Sequence, residues 1–359
     1  MKKIKIFALV LSLGLLVGCA GNSSTASKDS QYAYSIVSAN KILNFDKDDK
    51  IVNEDTSWKK GVRNDLVYET KDKILSIGQD INSPKNEIIA LDKKTNEVKS
   101  KVIEDMSYNH YFDSEGNCYS ASLHENYITF YKYDKDFNLV IEKNLENIPM
   151  LSVAINGITE YKDELYLLVT TSTVHIYNTS DEAKKNNKVE NEIWKMSKNF
   201  DLVEKTTIPI NDTSAYRMLH DNNLLYIACT FKSKEEGGNQ IVIYNLDTKD
   251  IKDITLKNSY PMIMKLDKEN NRLIIAHEKL YGFTGDISVL DLKTYEEKNI
   301  KLEPTKDKSY PFPYINMSSD KYYILIDTNL YKIDKKDLSF DKVDLSTYNL
   351  EFPQIIYFN

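Results

Sequence analysis

Histidine has the broadest chemistry of any side chain near neutral pH, and three of the five histidines in this sequence follow apolar, strand-like segments. His124, His175 and His277 each lie at or just past the end of such a segment. If the fold brings these ends together, the three imidazoles could bind a metal ion or transfer a proton. The alternative is that each is a solvated loop residue, because the segments that carry them need not be neighbours.

No short catalytic motif accompanies these histidines. The sequence lacks G-x-S-x-G, P-loop, G-x-G-x-x-G and calcium-loop patterns, and His277-Glu278 lacks the second histidine of a zinc-protease helix. Aspartates instead recur at one turn position in most of the repeated units described below, at Asp46, Asp92, Asp134, Asp247, Asp291 and Asp334. Because aspartate accepts hydrogen bonds from nearby backbone N–H groups, this recurrence favours turn caps over acid/base or metal residues.

The elements that must position these residues are repeated hairpins. The stretch DISVLDLKTYEEKNIKL, from Asp286 to Leu302, is typical of an apolar strand, a turn and a more polar strand. Similar hairpins begin near Asn40, Asn86, Tyr127, Glu190, Asn239 and Thr328. Further short strands precede each hairpin. A complete unit therefore has four strands, of which the two middle ones are apolar on both faces. The pattern predicts an all-β, seven-bladed β-propeller over residues 32–359.

The blades are assigned with strands A to D running from the inside of each blade to its outside. Blades 2 to 7 are predicted at residues 64–104, 107–146, 149–210, 214–257, 260–303 and 310–346. The N-terminal strands supply strands B, C and D of the first blade, and LEFPQIIYFN, from Leu350, supplies its strand A. This pairing of the N-terminal strands with the C-terminal strand would close the ring and remove its exposed edges.

Two turns carry a resemblance to known repeats. Asn245-Leu246-Asp247-Thr248 and the stretch from Leu290 to Thr294 resemble bacterial propeller repeats of the YVTN and lactonase-like type. In those repeats a strand ending in an apolar residue and Asp is followed by a turn that contains Thr. The resemblance implies the fold and leaves the activity open, because such propellers include enzymes, binding proteins and scaffolds.

The N-terminus is predicted to be an export signal over residues 1–18. Lysines precede an apolar run from Ile6 to Val17 that is too short to span a bilayer permanently. Leu16-Val17-Gly18-Cys19 resembles the bacterial lipobox, which implies that Cys19 is lipidated and anchors the protein on the extracytoplasmic side of the cell membrane. The alternative is a signal peptide followed by an incidental cysteine. Residues 19–31 are small and polar, which favours a flexible tether.

Charge and cysteine content restrict the partners. Removal of residues 1–18 takes away three lysines and no acidic residue, so the net charge changes from −7 to −10. An acidic protein of this kind is a poor match for nucleic acid. Cys118 and Cys229 lie in apolar segments of different blades and are predicted to be unpaired core residues rather than a disulfide. No cofactor is predicted.

A ligand site is predicted on the face where strands B end and strands A begin. Blades 4 to 6 have long connections from strand B to strand C, and long loops on a rigid scaffold often bind ligands. The predicted contacts in these loops are His175, Tyr177, Phe231, His277, Tyr281 and Phe283. The channel mouth beside them is predicted to carry aromatic residues at the starts of strands A, namely Tyr108, Tyr216, Tyr260, Tyr310 and Phe352. The alternative for each aromatic residue is packing between blades.

The sequence favours a lipoprotein whose propeller binds a protein or cell-envelope ligand without catalysis. One alternative is a lactonase-type hydrolase or a lyase that acts at the channel mouth. Another is a ligand-capturing subunit that works beside a transporter. Converging titratable groups would favour the enzyme, and an aromatic pocket poor in acids would favour ligand capture.

Overall fold

The described part of the chain folds into strands that form seven antiparallel sheets. The computed structural model describes residues 32–63, 66–83, 85–103, 109–146, 152–172, 189–210, 213–232, 236–279, 282–303 and 313–358. The predictions for residues 1–31, including the lipid anchor at Cys19, lie outside these ranges.

The strands of the first three blades are β1 (Tyr34–Val37), β2 (Ile42–Phe45), β3 (Ile51–Asp55), β4 (Lys60–Val62), β5 (Tyr68–Glu69), β6 (Lys73–Asp80), β7 (Asn86–Asp92), β8 (Val98–Val102), β9 (Asn109–Phe112), β10 (Cys118–Leu123), β11 (Tyr127–Tyr133) and β12 (Leu139–Glu146). Blades 4 and 5 contain β13 (Ser152–Tyr161), β14 (Glu164–Ser172), β15 (Val189–Met196), β16 (Leu202–Ile208), β17 (Ser214–Asp221), β18 (Leu224–Phe231), β19 (Gly237–Asn245) and β20 (Ile251–Thr255). Blades 6 and 7 contain β21 (Pro261–Asp267), β22 (Arg272–Lys279), β23 (Gly282–Asp291), β24 (Glu297–Lys301), β25 (Tyr314–Met317), β26 (Lys321–Ile326), β27 (Asn329–Asp334) and β28 (Phe340–Asp344), and the chain then forms a 3-10 turn at Ser346–Tyr348 and β29 (Ile355–Tyr357).

The seven sheets are the blades of a β-propeller, which confirms the predicted fold class. In blades 3 to 7 the four strands pair in chain order, from the inner strand to the outer strand. The middle strands are buried on both faces, as in β14, where every residue from Leu165 to Thr171 is buried. The outer strands are far more exposed, and every residue of β8 is exposed. This gradient is expected when neighbouring blades cover the middle strands and only solvent meets the outer edge.

The first blade combines both ends of the described chain. Its strand order is β29-β1-β2-β3, so that the C-terminal strand occupies the inner position. β29 pairs antiparallel with β1, with Ile356 opposite Ile36. Ile355, Ile356 and Tyr357 have no exposed surface. The inner strand therefore belongs to the core of the blade as well as to its hydrogen-bonded sheet.

Blade 2 departs from the predicted pattern at its inner position. The sequence predicts that this blade starts at residue 64, but the structure fills the inner position with two short strands, β4 and β5, which both pair with β6. Gly78 of β6 lies opposite Val62, and a Cβ atom at Gly78 would overlap the carbonyl oxygen of Gly61. The close approach of β4 thus depends on this glycine, and a three-residue strand is too short to give a periodic signal.

The recurring aspartates cap turns in most blades, as predicted. The side chain of Asp92 accepts hydrogen bonds from the backbone N–H groups of Lys94 and Thr95, and Asp291 does the same in blade 6. Blade 5 differs, because Asn245 is the cap there. The two core cysteines, Cys118 and Cys229, are buried and unpaired, which confirms that prediction.

The two ends of the ring are distinguished by strand direction. The upper face is defined as the end at which the inner strands begin and the second strand of each blade passes to the third. The lower face is the opposite end, and it carries the connections to the outer strands. Because β1 occupies the second position of its blade, the chain enters the propeller at the lower face, at Tyr32.

Candidate functional site

An aromatic cluster lies on the upper face where blades 5 and 6 meet. Tyr216 belongs to β17, Phe231 ends β18, and Tyr260 directly precedes β21. The ring centroid of Phe231 lies 5.4 Å from that of Tyr216 and 6.0 Å from that of Tyr260, and both pairs are edge to face. Such pairs are favourable, so the three rings stabilise one another across the blade boundary. The structure thus brings together two residues predicted at the channel mouth, Tyr216 and Tyr260, and one predicted in the adjacent loops, Phe231.

Two cations and the surrounding core cover much of this cluster. The guanidinium carbon of Arg217 lies 4.8 Å from the ring centroid of Tyr216, and Lys279 Nζ lies 5.7 Å from that of Tyr260. Tyr216 and Phe231 are half-buried, and Tyr260 is only 8% exposed. The cluster therefore presents little aromatic surface to a ligand.

Tyr260 is fixed by its backbone as well as by its ring. Its N–H donates to the carbonyl oxygen of Gly238 at 2.7 Å, and its carbonyl accepts from Glu278 N–H at 2.9 Å. A Cβ atom at Gly237 would lie 2.6 Å from the Tyr260 ring. Glycine at position 237 is therefore required for this packing, and Tyr260 belongs to the boundary between the blades.

The expectation that core packing has little claim on His277 and Phe283 is wrong. β22 continues to Lys279 and β23 begins at Gly282, so the predicted long loop of blade 6 is mostly paired strand. His277 has no exposed surface and Phe283 is 2% exposed. Phe283 packs in the core cluster that blades 6 and 7 share.

The hydrogen bonds of His277 assign it a structural position. Its Nδ1 lies 2.9 Å from the carbonyl oxygen of Ser259, and its Nε2 lies 2.7 Å from Ser288 Oγ. A carbonyl can only accept, so Nδ1 donates to Ser259. Burial lowers the pKa of His277, although Asp286 and Glu297 oppose this effect. The lowered pKa favours the neutral ring near pH 7, with its proton on Nδ1. Ser288 Oγ also lies 2.6 Å from Glu297 Oε1 and 3.0 Å from Asn299 Oδ1, so its single proton is shared among three acceptors.

The other predicted contacts are dispersed or lie outside the described residues. His124 stacks on Tyr127 within blade 3, with ring centroids 4.3 Å apart. Within the described ranges, no group of three His, Cys, Asp or Glu side chains is placed to hold a metal ion. His175, Tyr177, Tyr281, Tyr310 and Tyr108 are outside those ranges.

The inner strands enclose a cavity of about 70 Å³ in the channel. Its walls come from five blades and include Tyr68, Asn109, Asn156, Arg217 and Met264. A volume of this size is smaller than a typical ligand pocket, which spans roughly 300–1,000 Å³. The cavity is thus suited to water or a small ion rather than to an organic ligand.

Charged side chains meet at another point of the channel. Glu69 Oε1 lies 3.1 Å from Lys93 Nζ, and its Oε2 accepts from Asn316 Nδ2 at 2.9 Å. The inner strand β21 contributes the half-buried Lys265. Burial lowers the pKa of Lys265, and the positive charge of Lys93 lowers it further, whereas the negative charge of Glu69 raises it. These contacts link blades 2, 6 and 7 across the channel.

A larger pocket, which the sequence analysis did not predict, lies on the upper face between blades 1 and 2. Its volume is about 480 Å³. The segment before β29, strand β4 and the connection after β6 form its walls. Two of its lining residues are exposed apolar side chains, Phe352 at 69% and Ile81 at 45%. The name blade 1–2 pocket is used below for this site, which is lined by Ala39, Gly61, Gln79, Asp80, Ile81, Asn82, Ser83, Phe352 and Gln354.

Hydrogen bonds on both sides of Phe352 hold it at the rim of the blade 1–2 pocket. The Glu351 carbonyl accepts from Ala39 N–H at 2.7 Å, and Gln354 N–H donates to the Val37 carbonyl at 2.8 Å. Phe352 itself has a positive φ of 48°, a backbone conformation that costs a side-chain-bearing residue about 1–3 kcal/mol. The segment is therefore fixed although the ring is exposed.

An ion-paired group lies beside the blade 1–2 pocket. Lys60 Nζ contacts Asp80 Oδ2 at 3.0 Å and Glu87 Oε2 at 2.6 Å. The pKa of Asp80 is lowered by the backbone N–H of Asn82 and by Lys60. Burial opposes the charge of Lys60, but the hydrogen bonds to Glu87 and Asp80 raise its pKa. Lys60 thus pairs with two carboxylates, so these three side chains together carry a net negative charge.

A sequence signal for the blade 1–2 pocket was present. Phe352-Pro353 repeats the aromatic-proline start of Tyr260-Pro261, and a short polar stretch from Gln79 to Ser83 follows β6. This stretch is shorter than the connections of blades 4 to 6 on which the predicted site was based.

Comparisons with known proteins define the class of this chain through its fold. No family model and no curated protein matches it. A solved protein from Lactobacillus plantarum is 12% identical with a TM-score of 0.60, and the match covers 92% of this chain and 100% of that one. A putative 6-phosphogluconolactonase from Bacteroides uniformis is 9% identical with a TM-score of 0.58, over 92% and 99% of the two chains.

Hsv2 from Kluyveromyces lactis is 8% identical with a TM-score of 0.50, over 88% of this chain and 96% of that one. At such identities the likeness shows the fold alone, so the chain is similar to propellers with different names. In the described part of the chain, no helix is both long enough and apolar enough to cross a bilayer.

Proposed function

We propose that this protein is a lipid-anchored, extracytoplasmic β-propeller that binds a protein or cell-envelope component at its upper face without catalysis. The observation that carries the proposal is the exposure of Phe352, at 69%, beside a pocket of about 480 Å³. An exposed aromatic ring on a rigid segment is a typical binding anchor. Because the segment is already ordered, little conformational entropy is lost on binding.

The surroundings of Phe352 support binding rather than bond-breaking chemistry. The blade 1–2 pocket combines a phenyl ring and an isoleucine with the amides of Gln79, Asn82 and Gln354. Such a mixture of an apolar surface and a few polar groups is common in recognition sites. The activity in the name of the Bacteroides uniformis protein is not transferred, since the identity is 9%.

The entry point of the chain limits how far the propeller can lie from the proposed anchor. Tyr32 lies at the lower face, two residues before β1. Residues 20–31 could bridge at most about 40 Å if fully extended, so a membrane that holds Cys19 would lie within about this distance of Tyr32.

The anchor is tested by Cys19→Ala. We expect the wild type in the membrane fraction and the variant in the soluble exported fraction, since the acyl chains supply the membrane affinity. Retention of the variant in the detergent phase would refute the lipid anchor.

The binding site is tested with the full-length protein in detergent and with purified fragments of its own cell envelope. We expect Phe352→Ala to weaken co-sedimentation at least about tenfold. The matched control is Phe340→Ala, because Phe340 is also an exposed phenylalanine, at 43%, but lies in the outer strand β28 of blade 7. Equal binding by all three proteins would refute the proposed upper-face site.

A further inference from the structure

The blade 1–2 pocket has the composition expected of a sugar-binding site. We propose that its ligand is an uncharged saccharide of the cell envelope, bound with the apolar face of a sugar ring against Phe352. This inference rests on the proposed binding function and adds the chemical class of the ligand. It rests on four features of the pocket: the exposed apolar surface of Phe352 and Ile81, the neutral polar side chains beside it, its size and its charge.

The platform is provided by Phe352 and Ile81. A pyranose presents a face of C–H bonds with slight positive charge, and the face of an aromatic ring carries the complementary negative charge. Phe352 is exposed enough for such contact, at 69%, and Ile81 extends the apolar surface at 45%. A sugar ring can lie on this surface while its hydroxyl groups point sideways toward the polar wall.

The polar wall offers neutral donors and acceptors. Gln354 Oε1 accepts from Val62 N–H at 3.1 Å, which fixes the amide, and no described residue accepts a hydrogen bond from its Nε2. Ser83 Oγ accepts from Lys85 N–H at 3.4 Å, so its hydroxyl proton remains available to a ligand. Amides and hydroxyls of this kind match sugar hydroxyls, which both donate and accept.

The size of the pocket fits a short saccharide segment. A volume of about 480 Å³ lies in the lower part of the range of small-ligand sites. The pocket opens on the upper face, so a longer chain could extend out of it. A polymer of the envelope can therefore be bound through one or two of its units.

Charge favours a neutral saccharide over an anionic polymer. Asp80 is the one charged residue among those that line the pocket, and Lys60 beside it is paired with Asp80 and Glu87, so no lining residue offers a cation to a phosphate or carboxylate. The chain without residues 1–18 carries a net charge of −10, because the net charge of −7 includes three lysines from that segment. Phosphate-rich polymers would be repelled by both the local and the overall charge.

The test uses the full-length protein in detergent and three preparations of its own envelope fragments: untreated, oxidised with periodate and then quenched, and digested with protease. Periodate cleaves sugar rings at vicinal hydroxyls, and protease removes proteins. We expect Phe352-dependent co-sedimentation to fall at least about tenfold after periodate and to survive protease. Phe340→Ala serves as the matched control, since its binding should follow that of the wild type in every preparation.

The outcomes separate this inference from the proposed function. Phe352-dependent binding that survives periodate and disappears after protease would overturn the saccharide and indicate a protein partner at the same site. Binding that never depends on Phe352 would overturn the proposed site itself.

A second variant tests the polar wall. Gln354→Glu keeps the acceptor for Val62 N–H but replaces the amide donor by a carboxylate. We expect it to fold like the wild type and to bind untreated fragments about tenfold more weakly, because a donor is lost and a charge is added. Unchanged binding by Gln354→Glu would overturn the assigned contact between this amide and a sugar hydroxyl.

Discussion

Blades 6 and 1 begin their inner strands with the same local sequence and place it in opposite environments. Tyr260 directly precedes β21, and Pro261 is its first residue. Phe352-Pro353 precedes β29, which begins at Ile355. Both aromatic residues have positive φ values, 65° for Tyr260 and 48° for Phe352. Tyr260 is nevertheless 8% exposed, whereas Phe352 is 69% exposed. The local sequence thus accompanies a shared backbone conformation, but it does not determine burial.

The preceding blade explains the difference. Before Tyr260, blade 5 connects β18 to β19 through the loop after Phe231, and Phe231 and Gly237 cover the tyrosine ring. Before Phe352, blade 7 connects β26 to β27 through Asp327 and Thr328 alone. The end of β18 and the start of β19 therefore cover Tyr260, whereas blade 7 has only a two-residue turn at the corresponding place.

The largest effect is expected from removal of the segment that carries Phe352. Deletion of residues 350–359 removes β29, whose Ile355, Ile356 and Tyr357 are fully buried, and exposes β1 as an edge. We expect loss of cooperative thermal unfolding, measured by circular dichroism or calorimetry. A truncated chain that melts at the wild-type temperature would show that the first blade does not depend on the C-terminal strand.

A smaller effect is expected from Gly237→Ala. The new methyl group would lie 2.6 Å from the Tyr260 ring, so the ring must move or the blades must separate. Overpacking of this kind costs about 1–3 kcal/mol. The measurement is the free energy of unfolding. Gly116→Ala is not a suitable control, because Gly116 has a φ of 88° and any side chain there would strain the backbone. Ser83→Ala, at the blade 1–2 pocket, should stay close to wild type, and a neutral Gly237→Ala would contradict the account of Tyr260.

A pH effect distinguishes the two blades further. His277 donates to Ser259, next to Tyr260, and burial lowers its pKa below the usual 6.5. The unfolded chain therefore binds more protons than the folded chain as the pH falls through 6.5, so stability should fall with the pH in this range. Asp286 and Glu297 oppose this shift, and Lys301 adds to it.

His277→Gln should flatten the pH dependence of the melting temperature between pH 7 and pH 5, although it lowers stability at pH 7. The corresponding contact in blade 1 is made by Asn40, whose Oδ1 accepts a hydrogen bond from Glu351 N–H. Asparagine does not titrate, so this contact should not depend on pH. An unchanged slope in His277→Gln would contradict the assigned neutral, buried imidazole.

The repeats made the fold accessible from the sequence. Apolar middle strands, turn-capping aspartates such as Asp92, and the leftover strand at Leu350 all follow from local patterns that each blade repeats. The inner strand of blade 2 was missed because β4 has three residues and depends on the close approach of Gly78.

The candidate site was less accessible because burial depends on contacts between blades. His277 and Phe283 looked like loop residues, but β22 and β23 extend through them and the adjacent blade covers them. Phe352 looked like its counterpart Tyr260, but blade 7 has a two-residue turn where blade 5 places Phe231 and Gly237 against the ring.

The central claim is that Tyr260 stabilises the fold and Phe352 binds the ligand. The most direct measurement determines the thermal stability and the envelope binding of Tyr260→Ala and Phe352→Ala side by side. We expect Tyr260→Ala to lose about 3 kcal/mol of stability, since a buried aromatic ring is removed, and to keep its binding per folded molecule. Phe352→Ala should melt within about 1 °C of the wild type, as is usual for exposed positions, and lose at least about tenfold in binding. A Phe352→Ala protein that binds like the wild type, or that is destabilised as much as Tyr260→Ala, would contradict the account.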